Sequence, residues 1–106
     1  MIVVVGKVRT DAERRDELVR VGEAVAAASR EEAGCHDYRI FQDTTDPDAF
    51  VVVEEWEDQA ALDAHFAMPH VAEFMQGIMP TLSAPPDVKF HTVASTVDLA
   101  QVTGGG

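Results

Sequence analysis

The sequence predicts an α+β domain in which two helical segments pack on one four-stranded antiparallel sheet. Four short segments rich in β-branched and aromatic residues are interrupted by two longer segments whose apolar residues recur at helical spacing. A short cluster of turn residues separates the two middle strands, which favours an antiparallel hairpin. The 106 residues suit one domain, and 46% of them are apolar, which is enough for a core.

The first strand and the first helix come from residues 1–33. Residues 1–9 are rich in valine and predict a strand. Residues 10–13, Thr-Asp-Ala-Glu, have the form of a capping box and predict that a helix starts there. The apolar stripe of this helix is Leu18, Val21, Val25 and Ala28. Gly34 is expected to end the helix, because glycine adopts the left-handed conformation without strain.

The central hairpin spans residues 35–57. Residues 35–42 predict the second strand and residues 50–57 the third. Between them, Pro47 and its flanking aspartates supply the turn chemistry.

The second helical segment is interrupted near Pro69. Asp58 is expected to cap a short helix that runs to Phe66, and Pro69 suits the first turn of a new one. The new helix is expected to turn Val71, Phe74, Met75 and Ile78 inward. Residues 88–93 predict the fourth strand.

The resulting order, β-α-β-β-α-β, predicts the ferredoxin-like arrangement with helices on one face of the sheet. The first and third strands are nevertheless apolar on both faces, since Val51 and Val53 oppose Phe50 and Val52. A second covering layer is therefore expected, and a homodimer formed by another copy of the sheet would supply it. We assign residues 1–95 to the domain. Residues 96–106 are expected to form a tail that is flexible or packed on the partner subunit.

Composition excludes several classes of function. The formal net charge of −11 disfavours binding to nucleic acid or anionic membranes. No apolar run reaches the roughly 20 residues that span a bilayer, and no basic segment precedes Ile2 as in a signal peptide. Cys35 is the single cysteine, so an intramolecular disulfide is excluded. A cytoplasmic protein that acts on a small molecule is the expectation.

Five segments together resemble a known family. They are EAGCHDY (32–38), DPDAF (46–50), EEWED (54–58), ALDAH (61–65) and PH (69–70). These segments are similar to the antibiotic biosynthesis monooxygenase (ABM) domain, and the resemblance extends over about residues 2–94. It implies a dimeric α+β barrel, with four-stranded sheets that pair between subunits. The family and its relatives include quinol and anthrone monooxygenases, haem-degrading enzymes and a sugar-phosphate isomerase.

The resemblance implies a cofactor-independent monooxygenase that oxidises a quinol, an anthrone or a similar phenolic molecule with O₂. Such enzymes are thought to need no flavin, haem or metal, because a deprotonated phenol can itself give an electron to dioxygen. The sequence also lacks the glycine-rich phosphate loops and the C-x-x-C-H motif. The protein would then supply a base, an apolar pocket and a hydrogen bond to the product.

His65 is the candidate general base. It lies beside the apolar stripe of the short helix, and the ordinary pKa of histidine suits proton transfer near neutrality. The alternative is a surface histidine that only hydrogen-bonds to backbone. No metal site is expected, because His65 and His70 are five residues apart and no third ligand is evident. The predicted substrate pocket consists of Tyr38, Glu54, Trp56, Phe66, His70, Phe74 and Ile78.

These pocket residues have structural alternatives, and Phe66, Phe74 and Ile78 could simply belong to the core. Trp56 could wall the pocket or close the end of the core. Glu54 shares a strand face with Trp56, so a buried carboxylate there would need a partner, either His65 or Arg39. An inter-subunit salt bridge of Glu54 is the alternative. Tyr38 could donate a hydrogen bond to substrate or serve only as a strand residue.

The resemblance also implies other functions on the same scaffold. The haem-degrading branch uses a histidine, a tryptophan and an asparagine where this chain has Phe74-Met75, His65 and Lys7, so haem oxygenation is disfavoured. An isomerase or lyase could use a histidine and a carboxylate for a proton shift. A phosphorylated substrate would, however, want a basic cluster. A non-catalytic small-molecule-binding dimer is the third possibility.

Overall fold

The computed structural model describes residues 1–104 and confirms the ferredoxin-like α+β fold. In chain order the elements are β1 (Ile2–Arg9), α1 (Arg15–Arg30), β2 (Cys35–Gln42), β3 (Ala49–Trp56), α2 (Gln59–Phe66), α3 (Pro69–Ile78), β4 (Asp87–Thr92) and α4 (Leu99–Val102). The strands pair antiparallel in the order β2-β3-β1-β4. A single 3₁₀ turn, Met79–Thr81, follows α3.

The predicted start of α1 is wrong by about one turn. Thr10 does not cap the helix, because its hydroxyl donates a buried hydrogen bond to the carbonyl of Thr81 at 2.6 Å. Residues 12–14 form a turn, in which the Asp11 carboxylate accepts from the backbone N–H of Arg14 at 3.1 Å. The local capping pattern therefore does not form, because Thr10 instead contacts Thr81, 71 residues further along the chain.

Gly34 has the left-handed backbone that was predicted, with φ of 82°. The prediction that Gly34 ends the helix is wrong, because α1 ends at Arg30 and a turn separates it from Gly34. A Cβ at this position would lie 2.6 Å from the Cβ of Ala61 in α2. Glycine is therefore required both by the backbone and by the close approach of α2.

The core lies between the helices and one face of the sheet. Alternate strand residues on that face are buried, and α1, α2 and α3 pack against them through Val25, Leu62 and Phe74. The buried hydrophobic strand residues are Ile2, Val4, Val8, Tyr38, Phe50, Val52 and Trp56; Gly6 and Glu54 are also buried. On β1 and β3 these buried residues alternate with half-buried or exposed ones, which belong to the other face of the sheet.

The centre of the other sheet face is apolar, and helices α1, α2 and α3 all pack on the opposite side. Val3, Val5, Val51 and Val53 are half-buried there, and Phe41 is 51% exposed. The homodimer that would cover this face stays a prediction.

The broken second helix is as predicted. Asp58 caps α2 by accepting from the backbone N–H of Ala61 at 2.9 Å, and Pro69 opens α3. Val71 and Ile78 are buried, but Met75 is 53% exposed and does not turn fully inward as predicted. No described helix has the length and apolar character needed to cross a bilayer. The predicted tail contains α4, while residues 105–106 lie outside the described residues.

Candidate active site

A cavity of about 270 Å³ lies between the sheet and helices α2 and α3. Its wall is apolar except for three side chains, Tyr38, Glu54 and His65. The apolar wall consists of Gly6, Val8, Val52, Phe66, Val71, Phe74, Met75, Ile78, Met79, Leu82, Pro86, Val88 and Phe90. An apolar cavity with a few convergent polar groups is the arrangement typical of small-molecule sites.

His65 lies on α2 and is 2% exposed. Its Nδ1 lies 2.7 Å from Oε2 of Glu32, in the turn between α1 and β2. An ionised carboxylate only accepts hydrogen bonds, so Nδ1 of a neutral His65 carries the proton and Nε2 has the free lone pair. Nε2 lies 3.9 Å from Oε1 of Glu54, a neighbour in the cavity wall. His65 therefore presents a proton acceptor to the cavity.

Glu32 also binds a second histidine. Nε2 of His70, in the first turn of α3, lies 2.8 Å from the same Oε2 atom. The side chains of His65, Glu32 and His70 are 3%, 7% and 21% exposed. Sequence reasoning missed Glu32, because no spacing pattern shows that the α1–β2 turn meets α2 and α3.

Glu54 lies on the helix-facing side of β3, as strand alternation predicted. Its Oε1 accepts a hydrogen bond from the indole N–H of Trp56 at 3.0 Å. Burial raises the pKa of Glu54 from 4.5 to about 7; the Trp56 hydrogen bond opposes this rise and the charge of Glu32 adds to it. A large fraction of Glu54 is therefore protonated near neutral pH and can donate a hydrogen bond.

Tyr38 is the third polar group of the wall and is 3% exposed. Burial, together with the negative charge of Glu54, raises the pKa of Tyr38 well above its ordinary value. Tyr38 therefore keeps its phenolic proton and remains a hydrogen-bond donor. The polar end of the cavity thus combines one acceptor, His65, with two donors.

The imidazole of His65 packs against the aromatic rings of Trp56, Phe66 and Tyr38. The ring of Trp56 lies 4.5 Å from it and the ring of Phe66 lies 5.5 Å from it, measured between centroids. Trp56 is fully buried within the core cluster. Together with the hydrogen bond from Glu32, these contacts leave the ring little freedom to turn.

Six of the eight predicted site residues line the cavity: Tyr38, Glu54, His65, Phe66, Phe74 and Ile78. Trp56 and His70 are placed differently, since Trp56 contacts His65 and Glu54, and His70 contacts Glu32. Arg39 is not the partner of Glu54, because it pairs with Asp37 at 3.0 Å.

The single cysteine and the histidines at 36 and 91 do not line the cavity. Burial raises the pKa of the Cys35 thiol to about 11, which keeps it protonated and unreactive. His36 is exposed and pairs with Glu57, and His91 is exposed on β4.

The family model for the antibiotic biosynthesis monooxygenases matches residues 1–77. The chain belongs to the antibiotic biosynthesis monooxygenase family. The matched residues include Glu32, Glu54, His65 and His70, whereas β4 and its part of the cavity wall lie beyond them.

Similar proteins include two named bacterial relatives. The candidate monooxygenase YcnE of Bacillus subtilis is 32% identical over 88 residues, which cover 83% of this chain and 93% of that protein. The probable quinol monooxygenase YgiN of Escherichia coli is 29% identical over 89 residues, covering 74% and 85% of the two chains.

A solved structure shows the same fold. It is of a candidate antibiotic biosynthesis monooxygenase from Deinococcus radiodurans, with a TM-score of 0.87 and 22% identity. The superposition covers 93% of this chain and 98% of that one.

Proposed function

We propose that this member of the family is a monooxygenase that oxidises a neutral phenolic molecule, such as a quinol, naphthol or anthrone, with O₂. The observation that carries the proposal is the buried His65, whose Nδ1 is held by Glu32 and whose Nε2 faces an apolar cavity. The name of the relative YgiN, a probable quinol monooxygenase, supports the same class of substrate.

In the proposed reaction the substrate hydroxyl transfers its proton to Nε2 of His65. The imidazolium that forms is stabilised by the carboxylate of Glu32, 2.7 Å from Nδ1. The resulting phenolate is electron-rich and gives an electron to O₂. In the net reaction a ring C–H of the phenol becomes a carbonyl, and the other oxygen atom leaves as water. All four electrons come from the substrate, so no external reductant is needed.

The two hydrogen-bond donors of the cavity wall would stabilise negative charge on the substrate. Tyr38 and protonated Glu54 would hydrogen-bond to the substrate oxygens on which negative charge develops. Such fixed donors are most effective where water is excluded, as in this apolar cavity. The indole N–H of Trp56 holds Glu54 in position at 3.0 Å.

The cavity also limits the kind of substrate. Among the described residues no lysine or arginine lines it, while a glutamate does. An anionic phosphate group would therefore find no cationic partner there. The cavity thus favours neutral aromatic rings and argues against a sugar-phosphate isomerase.

Oxygen uptake tests this proposal. Chelator-treated protein would be assayed on a panel of quinols, naphthols and anthrones, with boiled protein as the blank. His65→Gln keeps an N–H donor for Glu32 but has no basic nitrogen, so we expect turnover to fall by about 10²–10⁴-fold. The matched control is His91→Ala, because His91 is exposed on β4 and outside the site.

Unchanged turnover in His65→Gln would remove this residue from the mechanism. Turnover that continues without oxygen would instead favour an isomerase or lyase. Saturable quenching of Trp56 fluorescence with no chemical change would favour a binding protein.

A further inference from the structure

The polar cluster behind the cavity offers three potential metal ligands. They are Oε2 of Glu32, Nδ1 of His65 and Nε2 of His70, and all three atoms lie within 4.8 Å of one another. Two imidazole nitrogens and one carboxylate oxygen form a donor set that suits Zn²⁺ and other divalent transition metals. We infer that Glu32, His65 and His70 form a binding site for one divalent transition-metal ion.

Charge favours a cation at this place. The Glu32 side chain is 7% exposed, and among the described residues its ion-pair partners are His65 and His70 alone. With both imidazoles neutral, the cluster carries one buried negative charge, which is costly without a cation.

The geometry requires only small movements. Zn²⁺ binds histidine nitrogen and carboxylate oxygen at about 2.0–2.2 Å, so tetrahedral ligand atoms are separated by roughly 3.3 Å. The Glu32 oxygen is now 2.7 and 2.8 Å from the two nitrogens, which are hydrogen-bond distances. An ion would replace these two hydrogen bonds: the oxygen would move roughly 0.5 Å away from each nitrogen, and the two nitrogens, which lie within 4.8 Å of each other, would settle at a similar tetrahedral separation. His70 is 21% exposed and gives the ion a route from solvent.

The site arises from the break between α2 and α3. His65 and His70 are five residues apart, a spacing that would separate their directions on one continuous helix. The turn at residues 67–68 and the new start at Pro69 bring both rings to Glu32, with ring centroids 6.1 Å apart.

Metal binding would change what His65 presents to the cavity. Ligation through Nδ1 leaves the single proton of a neutral imidazole on Nε2, the atom near Glu54. The ring then donates a hydrogen bond to the cavity and cannot accept a proton there. Bound metal would therefore inhibit oxygenation. This inhibition rests on the proposed function, whereas the metal site itself does not.

The binding test uses the full chain after removal of metal with a chelator. Calorimetric titration with Zn²⁺, and visible absorption with Co²⁺, should show one ion per chain. Glu32→Gln and His70→Ala should each weaken binding by more than the roughly 10–100-fold that loss of a supporting residue costs. His91→Ala removes an exposed histidine outside the cluster and should bind like the wild type.

Two results would overturn the site: absence of Zn²⁺ and Co²⁺ binding to the stripped wild type, or binding by His70→Ala as tight as that of the wild type. Nitrogen NMR of the His65 ring gives a second readout, because Zn²⁺ should move its proton to Nε2. A ring that keeps its proton on Nδ1 in the presence of Zn²⁺ would contradict ligation by that atom.

Inhibition by Zn²⁺ is measured in a separate experiment. The rate of oxygen uptake of each protein is expressed as a fraction of the rate that the same protein shows without metal. The wild type should lose oxygen uptake over the range of Zn²⁺ in which it binds the ion, and His70→Ala should require more Zn²⁺. Full occupancy without inhibition would refute the predicted change of tautomer. If no substrate is oxidised at all, the proposed function fails, while the Zn²⁺ titration still decides the site.

Discussion

Replacing Glu54 with glutamine should stabilise the protein in a pH-dependent way. Glutamine has nearly the same shape, and its amide oxygen can still accept from Trp56 N–H. The Glu54 side chain is 11% exposed, so solvent screens it little. Burial raises the pKa of Glu54 to about 7 in the folded protein from its ordinary 4.5. Glu54→Gln removes the titration and leaves the packing.

The sign follows from proton binding. Between pH 4.5 and about 7 the folded state holds a proton on Glu54 that the unfolded state has lost. The free energy of unfolding therefore falls as the pH rises through this window. At about 1.36 kcal/mol per pH unit, ionised Glu54 costs about 3 kcal/mol above pH 7. We expect Glu54→Gln to be more stable by up to that amount near pH 8 and by little near pH 4.5.

Urea unfolding followed by Trp56 fluorescence measures the difference. Wild type and variant would be compared at both pH values, at one protein concentration and with a chelator present. Glu73→Gln is the matched control, because Glu73 is exposed on α3. The reasoning is refuted if Glu54→Gln changes stability equally at both pH values, since a buried titrating carboxyl cannot do that.

Three further outcomes follow from single sites. Gly34→Ala should lower the free energy of unfolding by roughly 1–3 kcal/mol, because φ is 82° and the new Cβ would clash with the Cβ of Ala61. A decrease of less than about 0.5 kcal/mol in urea unfolding would contradict this. Tyr38→Phe should leave the fold intact but lower kcat by up to about 10²-fold, and a purely structural Tyr38 would leave kcat unchanged. Sedimentation should show that the wild type is a dimer and that Val53→Asp is a monomer, because the substitution buries a charge at the centre of the sheet face that the helices leave uncovered, where Val53 pairs with Arg39. A monomeric wild type would rule out the predicted dimer.

Most of the fold follows from local patterns. Period-two and helical spacings placed all four strands and three of the helices, with strand ends within one residue of those observed. The start of α1 could not be predicted, because Thr10 bonds to Thr81, 71 residues along the chain. The four-residue α4 also lacked a periodic pattern long enough to detect.

The sequence alone determined which side chains share a face of the sheet, since alternation along a strand is a property of the backbone. Glu54 and Trp56 were thereby placed on one side before any tertiary contact was known. Only the tertiary structure decided which groups meet there. Glu32 comes from a turn whose position depends on how α1, α2 and α3 pack, and no local spacing encodes that packing. The same packing joins Glu32 to His65 and His70 and leaves Nε2 of His65 facing the cavity.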